Sequence, residues 1–337
     1  MIQLLDCTLR DGGHVNGSEF GYSNIKEIVK NLSEARIDII ELGFLRNGNF
    51  TKDQSSNELI ENAESYIPEN SKSNYSVMIR PDWYDISKLS SRKGKINFLR
   101  FAFYYKDIEL TKEYCKIAKE KGYKIILNAI NINNYSKEGL FQLFNDLNDI
   151  HPYGVSIVDT FGSFTVPTFK NVYKKFEENI LPDITIGFHL HENQNLAMEL
   201  VRTLFTILNP QRNIIIDGSL LGMGRKPGNL CIEHAMDYLI TNKNMSYDIK
   251  PVLHVISTII QDFKRKFEWG YSPEYYYSGK FKIHCDYPLR LSQDKRLKLD
   301  DIYEILLKLN DSPEKTKFNQ HYMEQLIQNL INQRDRK

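Results

Sequence analysis

The sequence predicts an α/β fold, a (β/α)8 TIM barrel with a C-terminal helical extension. Short runs of β-forming residues alternate with longer amphipathic segments from residue 1 to about residue 240, which is the pattern of β-α units around a parallel sheet. This region is close to the ~250 residues of a typical barrel. A doubly wound open sheet is the alternative, but the Gly12-Gly13 turn after the first run lacks the G-x-G-x-x-G spacing of that fold.

The predicted strands number eight. They cover residues 2–6, 38–44, 75–79, 96–103, 123–129, 154–159, 184–191 and 213–218. Between them, apolar residues at spacings of three and four predict helices, for example over 24–35, 109–121, 137–149, 168–179 and 193–208. Together these elements predict a barrel domain over residues 1–245.

The pattern changes after residue 245, where strand alternation does not return. Helices are predicted over 249–267, 299–309 and 314–336, with the aromatic segment WGYSPEYYYSGKF between the first two. We therefore predict that residues 246–337 form a helical extension packed on the barrel. The clustered tyrosines 275–277 are expected to pack this extension, with an interface or a substrate mouth as the alternative.

The composition excludes several classes of partner. Lys and Arg number 44 against 43 Asp and Glu, a net charge of +1, so the whole chain has no electrostatic reason to bind nucleic acid or an anionic membrane. The start of the chain has no basic leader and no apolar run approaches ~18 residues. The four cysteines form no C-x-x-C pair, which fits reduced thiols. We expect a cytoplasmic protein with neither a nucleic-acid nor a membrane partner.

Reactive residues fall at the ends of predicted strands. The first strand runs into Asp6-Cys7-Thr8-Leu9-Arg10-Asp11-Gly12-Gly13-His14, the second ends at Glu41-Leu42-Gly43, the sixth at Asp159-Thr160 and the seventh at His189-Leu190-His191. Barrel enzymes build their active sites at the carboxyl ends of the strands. The sequence therefore predicts an active site at that end of the barrel.

A metal site is the first hypothesis for these residues. His189 and His191 lie one residue apart on a strand, so their imidazoles point to the same side. With Asp11 from a neighbouring strand end they would offer two nitrogens and one oxygen to a divalent cation such as Mn, Mg, Co or Zn, with positions left open for substrate. The alternative is that both histidines are ordinary hydrogen-bonded strand residues.

Two further side chains suit catalysis near that metal. Arg10 offers a planar, permanently charged fork to a carboxylate or an enolate oxygen, and its alternative is a structural ion pair. His14, with an ordinary pKa near ~6.5, suits a general base. Glu41 and Asp159 either support the site or are satisfied polar residues of the lower barrel.

Two other segments carry weaker candidates. The residues 222–229 follow the eighth strand and open a helix, where barrels bind anions through backbone N–H groups; a tight glycine-rich connection is the alternative. Tyr271, beside a glycine, is a candidate for a hydroxyl that faces the site.

These motifs together resemble the DRE-TIM metallolyases, which include the pyruvate carboxyltransferase-like and hydroxymethylglutaryl-CoA lyase-like barrels. The matching motifs span nearly the whole barrel in order. They are Thr8-Leu9-Arg10-Asp11-Gly12, Ile40-Glu41-Leu42-Gly43, Asp159-Thr160-Phe161-Gly162, His189-Leu190-His191 and Gly222-Met223-Gly224-Arg225 through Gly228-Asn229.

The resemblance implies roles for named residues. Asp11, His189 and His191 would bind the divalent metal, joined by Asn229 as in some family branches, and Arg10 would stabilise an enolate formed from a 2-oxo acid. Substrate contacts are implied for Arg10, Asp159, Thr160, Gly224 and Asn229. The position of His14 is similar to that of the catalytic base in 4-hydroxy-2-oxovalerate aldolases, and Tyr271 to that of a tyrosine those enzymes use. Arg10, His14, Glu41 and Tyr271 are thus the catalytic candidates.

The expected function is a metal-dependent aldolase or lyase that makes or cleaves a C–C bond of a 4-hydroxy-2-oxo acid through a pyruvate-type enolate. The alternatives are an acyl-CoA-dependent Claisen condensation, as in isopropylmalate and homocitrate synthases, and a non-catalytic barrel acting as an assembly partner. The expected partners are a 2-oxo acid and an aldehyde. A homodimer is expected because homo-oligomers are the commoner state of metabolic enzymes, and the resemblance suggests an aldehyde dehydrogenase partner. The segment Arg225-Lys226-Pro227-Gly228 is bulkier than the usual small-residue version, which leaves the aldehyde open.

Overall fold

The computed structural model describes residues 1–334 and contains a closed barrel of eight parallel strands. The strands are β1 (Ile2–Asp6), β2 (Ile39–Leu45), β3 (Asn74–Ile79), β4 (Ile96–Phe103), β5 (Lys124–Ala129), β6 (Gly154–Val158), β7 (Thr185–His189) and β8 (Ile214–Gly218). The sheet closes because β1 pairs with both β2 and β8. A two-residue strand, Ser56–Asn57, adds to β2 outside the ring. The predicted fold class is confirmed, and every predicted strand is present.

Helices surround the barrel in chain order. They are α1 (Thr8–Asp11), α2 (Gly13–Asn16), α3 (Tyr22–Glu34), α4 (Ile60–Glu64), α5 (Ile108–Glu120), α6 (Lys137–Ile150), α7 (Val166–Asn179), α8 (Ala197–Ile207) and α9 (Ile232–Lys243). The alternation is incomplete at one place, since only a 3-10 turn, Ile86–Lys88, connects β3 to β4. The short α1 and α2 turn the chain at the end of β1, which brings the residues after Asp6 over the barrel mouth.

The barrel interior is filled in layers because alternate residues of each strand point inward. The lower layer is apolar and contains Leu5, Ile39, Phe98, Ile126 and Ile215. The layer above it is polar, and all of its side chains are buried: Glu41, Ser76, Arg100, Asn128, Ser156 and Asp217. This polar layer lies directly beneath the cavity at the barrel mouth, so it can position groups that face the cavity.

A bulge in β2 changes which side chains reach the mouth. The register between β2 and β3 shifts between Glu41 and Phe44, and Gly43 lies at a φ of 131°. A Cβ at Gly43 would sit 1.6 Å from the Ser55 carbonyl oxygen, so only glycine fits. The bulge shifts by one residue the alternation between side chains that point into the barrel and side chains that point out of it. Phe44 therefore points into the barrel, one layer above Glu41.

The chain beyond β8 and α9 is helical as far as it is described. It contains α10 (Ile249–Val255), a π-turn at Ile256–Ile260, α11 (Gln261–Lys266), α12 (Pro273–Phe281), α13 (Asp286–Gln293), α14 (Leu299–Asn310), a 3-10 turn at Pro313–Thr316 and α15 (Gln320–Arg334). Thus the predicted helix 249–267 is interrupted by a π-turn. The predicted helix 314–336 begins later, at Gln320, and its residues 335–336 lie outside the described part.

The C-terminal helices belong to two hydrophobic clusters. Val252, Val255 and Ile260 pack into the main core between the barrel and its helices. By contrast, the helices from α13 onwards enclose a core of their own around Leu306 and Ile327. The division at residue 245 remains a prediction. Within residues 1–334, no helix is both long and apolar enough to span a membrane.

Candidate active site

A cavity of about 830 Å³ opens at the carboxyl ends of the strands. The barrel contributes Arg10, Asp11, His14, Thr160, His189 and His191 to its wall, among others. The C-terminal helices contribute the opposite side, which we call the roof: Tyr275, Ile283, His284, Cys285, Asp286 and Leu289. Most sequence-predicted site residues therefore meet in one enclosed space of a volume typical of ligand pockets.

Asp11, His189 and His191 form a compact group at the base of this cavity. One ligand atom from each residue lies within 4.8 Å of the ligand atoms of the other two. The two imidazole rings are nearly perpendicular, with centroids 4.9 Å apart. The structure thus brings together the three residues of the predicted metal group.

Hydrogen bonds fix the tautomer of both histidines. Nδ1 of His189 lies 3.1 Å from Oδ2 of Asp217, and Nδ1 of His191 lies 2.7 Å from the backbone oxygen of Asp159. Carboxylate and carbonyl oxygens only accept hydrogen bonds, so each Nδ1 carries the proton. The lone pair is left on Nε2 of each ring, which is the arrangement found in metal-binding histidines.

Asn229 adds a fourth side chain that can act as a metal ligand in this group. Its Nδ2 donates to Oδ2 of Asp11 at 2.6 Å, whereas its Oδ1 is buried without a hydrogen-bond partner in the described residues. A buried acceptor of this kind is costly unless something binds it, and an amide oxygen is a suitable ligand for Mg²⁺ or Mn²⁺. The donor set of one carboxylate, two imidazoles and one amide oxygen therefore fits a divalent cation.

Gly224 leaves room for this arrangement. A Cβ at that position would lie 2.3 Å from Nδ2 of Asn229 and 2.5 Å from Oδ2 of Asp11. Any side chain would push these two groups apart. The role of Gly224 in the structure is therefore to let the loop after β8 approach Asp11 closely.

Buried charges run beneath the site as a chain of ion pairs. Nη1 of Arg10 donates to Oδ1 of Asp11 at 2.6 Å, and its Nε donates to Oε2 of Glu41 at 2.8 Å. Arg100 continues the chain, since it pairs with Glu41 at 3.0 Å and also with Asp217. Glu41 is fully buried below the cavity wall, so its contact with the site is made through Arg10.

Charges around Asp11 set its protonation. Burial alone would raise the pKa of the Asp11 carboxyl, but the Arg10 guanidinium and nearby histidines hold that pKa well below its usual range. Burial, together with His189, lowers the pKa of His191 to about 4. Both side chains are therefore in the ligand-competent form near neutral pH, with Asp11 ionised and His191 neutral.

His14 projects into the cavity from α2, close to this group. Its side chain is exposed to solvent within the cavity; partial desolvation by the surrounding walls and the cations of Arg225 and Arg10 lower its pKa below the ordinary value, against the attraction of Asp11. Its ring makes an edge contact with Phe44, with centroids 5.6 Å apart. A neutral imidazole at pH 7 can accept a proton, which is the property needed in a general base.

Three predicted site residues remain: Thr160 lines the cavity, whereas the side chains of Asp159 and Tyr271 do not. Thr160 lines it, with Oγ1 accepting a hydrogen bond from the Asn131 N–H at 2.8 Å. The Asp159 carboxylate instead caps its own turn, accepting from the N–H groups of Ser163 and Phe164 at 2.8 and 3.0 Å. Only its backbone oxygen reaches the site, through His191.

Tyr271 also lies away from the cavity wall. Its side chain is 56% exposed, and its ring faces Tyr276. The reason is local: Trp269 is anchored by a hydrogen bond from Nε1 to the Leu221 oxygen at 2.9 Å, and Gly270, at a φ of 109°, then turns the chain outward.

Sequence reasoning missed the roof residues, apart from the alternative that the tyrosines 275–277 form a substrate mouth. The buried Tyr275 lines the cavity where Tyr271 was expected, and His284 lies on the same wall. Arg225 pairs with Asp286 across the cavity rim. No local spacing marks these residues, because they meet the barrel only through long-range packing.

The amino-acid sequence of this chain is similar to a family model and to several known enzymes. The HMGL-like family model matches residues 104–259. The 4-hydroxy-2-oxovalerate aldolase of Pelotomaculum thermopropionicum is 23% identical over 272 residues, which cover 79% of this chain and 78% of that protein. The 2-isopropylmalate synthase of Staphylococcus saprophyticus is 22% identical over 245 residues, which cover 69% of this chain and 47% of that protein.

A solved structure gives the same fold. The N-terminal domain of a candidate aldolase from Bacteroides vulgatus superposes with a TM-score of 0.76 at 22% sequence identity. The match covers 87% of this chain and 97% of that domain. It therefore includes part of the C-terminal helices as well as the barrel.

Proposed function

This chain carries an HMGL-like domain of the DRE-TIM superfamily, and from that premise we propose that it is a divalent-metal-dependent aldolase acting on 4-hydroxy-2-oxo acids. The observation that carries the proposal is the compact Asp11, His189 and His191 group, with Arg10 and His14 on the same cavity wall. The aldolase relative supports the reaction class.

The metal would be held by Asp11, His189 and His191, with Asn229 Oδ1 as a further ligand. When bound, a divalent cation supplies Lewis-acid polarisation of the substrate's 2-oxo group. The low pKa values of Asp11 and His191 keep both ligands deprotonated near neutral pH.

In the cleavage direction, His14 accepts the proton of the 4-hydroxyl group at a ring nitrogen. The C3–C4 bond breaks, the aldehyde carbonyl forms, and the electron pair of the broken bond passes into the enolate of pyruvate. Arg10 stabilises the developing negative charge through Nη2, the guanidinium nitrogen that neither Asp11 nor Glu41 engages. A proton then returns to C3, so one 4-hydroxy-2-oxo acid gives one pyruvate and one aldehyde without a redox change.

Positioning of Arg10 is the role that we propose for Glu41. The Glu41 carboxylate accepts from Arg10 Nε and from Arg100, which orients the guanidinium plane. Asp159 would act in a similar way through its backbone oxygen on His191. Thr160 remains a candidate for contact with the substrate.

The first experiment is deuterium exchange into the methyl group of pyruvate, followed by NMR with the purified protein and Mn²⁺ in deuterated buffer. We expect exchange that EDTA abolishes and that needs no acetyl-CoA. Exchange that is insensitive to EDTA would contradict the metal role.

The second candidate is a Claisen condensation, favoured by the similarity to an isopropylmalate synthase. It predicts thiol release from acetyl-CoA in the presence of a 2-oxo acid. Thiol release without pyruvate exchange would replace the aldolase proposal with this one. Failure to bind Mn²⁺, together with silence in both assays, would favour a non-catalytic barrel.

Substitution separates the proposed base from the proposed ligands. We expect His14→Ala to retain Mn²⁺ binding by calorimetry but to lower aldol turnover by about 10²–10⁴-fold. His189→Ala should lose both, since it removes a ligand. The exposed His321, changed to alanine, serves as the matched control and should leave both unchanged. Equal loss of metal in the His14 and His189 variants would contradict the base assignment.

The cellular setting and the assembly of the protein are also proposals. A homodimer and a cytoplasmic location remain predictions, as does an aldehyde dehydrogenase partner. Sedimentation and co-purification measurements would test the two assembly predictions.

A further inference from the structure

The upper layer of the barrel has two chemically different halves. The polar half holds Asp11, His189 and His191. The other half is formed by one apolar side chain from each of five consecutive strands or strand ends, which we call the apolar arc: Phe44, Met78, Ala102, Ile130 and Val158. All five line the cavity.

The apolar arc is a separate packing unit at the mouth. Phe44, Met78 and Ala102 form their own cluster, with Trp83 and Ile130 packed against it. The Trp83 ring lies 5.8 Å from that of Phe44 and extends the apolar surface away from the barrel axis. The β2 bulge at Gly43 is what aims Phe44 into this cluster.

The apolar arc begins beside the proposed base. His14 contacts the edge of the Phe44 ring, and in the proposed reaction His14 acts on the 4-hydroxyl group. The substituent on that same carbon belongs to the aldehyde product. When the 4-hydroxyl group faces His14, this substituent therefore lies beside Phe44. There it can pack on the apolar surface that extends from Phe44 to Trp83.

The cations around the cavity are largely engaged by acidic partners. Arg80 forms a bidentate pair with Asp82, including an Nε–Oδ1 distance of 2.9 Å, and stacks on Trp83 at 4.1 Å. Lys226 pairs with Glu268 at 2.9 Å, and Arg225 pairs with Asp286. Among the cavity-lining cations in the described residues, only Lys266 has no ion pair. It lies at the end of α11.

We propose that the apolar arc, extended by Trp83, is the subsite for the aldehyde and selects uncharged aldehydes with an apolar chain of about four or more carbons or an aromatic ring. The proposal rests on the proposed aldolase function and names its substrate class. Burial of apolar surface is the source of the selectivity, at about fourfold for each methylene group that enters the subsite.

The test is aldol addition of pyruvate to a series of aldehydes with the Mn²⁺-loaded protein. In this direction a C3–H bond of pyruvate breaks, C3 bonds to the aldehyde carbon, and the proton ends on the new hydroxyl group. We expect kcat/KM to rise about tenfold from acetaldehyde to butanal and to remain high for hexanal and benzaldehyde. Butanal should also exceed succinic semialdehyde, a four-carbon aldehyde in which a carboxylate replaces the terminal methyl group, by at least about tenfold.

Two variants locate the effect. Ala102→Leu fills part of the apolar arc, and Trp83→Ala shortens it; each should lower the ratio of hexanal to acetaldehyde kcat/KM by about tenfold. Phe141→Ala, an aromatic truncation at a 60% exposed position of α6, should leave this ratio unchanged. Because the readout is a ratio within one protein sample, partial loss of folded protein cancels.

Pyruvate exchange distinguishes the two possible failures. Absence of exchange in the unmodified protein overturns the aldolase function itself. Exchange with a flat or acetaldehyde-favouring profile, or with succinic semialdehyde preferred, overturns the apolar subsite alone. If neither Ala102→Leu nor Trp83→Ala alters the preference among the aldehydes, the result overturns the location of the subsite at the apolar arc.

Discussion

His189 and His191 are both held through Nδ1, but their acceptors differ. His191 donates to a backbone oxygen, which side-chain substitution cannot remove. His189 donates to the buried Asp217 carboxylate, which Arg100 also binds. Burial would raise the pKa of Asp217, but Arg100 and His189 lower it, so the carboxylate stays ionised. Orientation of His189 thus depends on one side chain.

We expect Asp217→Asn to weaken Mn²⁺ binding by about 10–100-fold, because acceptors behind metal-bound histidines set ring orientation and basicity. Titration calorimetry on the folded protein measures this. The matched control is Asp183→Asn, which alters the exposed pair between His151 and Asp183 and should leave affinity unchanged. Unchanged affinity in Asp217→Asn would contradict the orienting role.

The close packing around Gly224 leads to a second prediction about a single residue. Gly224→Ala should weaken Mn²⁺ binding by at least about tenfold, because the added Cβ would clash with the Asn229 amide and the Asp11 carboxylate. Gly139→Ala in α6 is the control, since a Cβ there meets no atom closer than 3.4 Å. That control should keep affinity and raise stability by about 0.5–1 kcal/mol. Equal metal affinity in the two variants would argue against the close approach.

Among the elements, β1 ends in a buried acid that the proposed reaction does not use. Asp6 accepts hydrogen bonds from the Thr8 N–H and hydroxyl group, and the Thr8 hydroxyl in turn accepts from the Leu220 N–H. These bonds tie the first turn after β1 to the loop after β8. Burial raises the pKa of Asp6 to about 7 despite them.

This pKa gives a stability prediction with a definite sign. The unfolded chain has an Asp pKa near ~3.9, so it releases the proton before the folded protein does. The contribution of Asp6 to stability should therefore fall as pH rises from about 4 to about 7, by up to about 4 kcal/mol, whereas the lowered pKa values of His14 and His191 contribute in the opposite direction over the same range. Asp6→Asn should remove the Asp6 contribution, so that the difference in unfolding free energy between the variant and the unmodified protein changes with pH over this range. A profile identical to that of the unmodified protein would contradict the raised pKa.

The secondary-structure elements also show which features of the fold and of the site could be predicted from the sequence. The eight strands and the Asp11, His189 and His191 group follow from local patterns, because alternation and strand-end position are local properties. The β2 bulge could not be predicted, since Gly43 is needed only because Ser55 approaches it. Helix α12 was also missed, because the aromatic run has no clear apolar stripe, and so was the short α13 that follows it. Tyr271 was chosen over Tyr275 because it lies beside a glycine and resembles a family tyrosine, whereas no local pattern shows which of the two tyrosines faces the cavity.

Residues 1–334 contain two large hydrophobic cores besides the two small clusters inside the barrel. The main core includes the barrel and α10, and the second lies among the C-terminal helices. The roof residues come from this C-terminal part, whereas the metal group comes from the barrel. Stability of the two parts can therefore differ.

Leu306→Ala tests this separation. Leu306 is fully buried in the second core, so truncation should cost about 2–5 kcal/mol locally. We expect faster hydrogen–deuterium exchange in α13 to α15 with the barrel strands still protected. Leu307→Ala, at a 38% exposed neighbour, should change exchange little. Loss of protection throughout the barrel would show that the two cores unfold as one.

The position of the roof between the barrel and a second core has an evolutionary consequence. A lineage could exchange or remodel the helices from α13 onwards without disturbing the strand ends that carry the reactive groups, whereas α12 is packed on the loops after β6 and β7 through Asn193 and Gly162. A chimera that joins this barrel to the C-terminal helices of a relative should then inherit its chemistry from one parent and part of its substrate preference from the other. Diversification by recombination is thus open to this architecture without any change in the barrel itself.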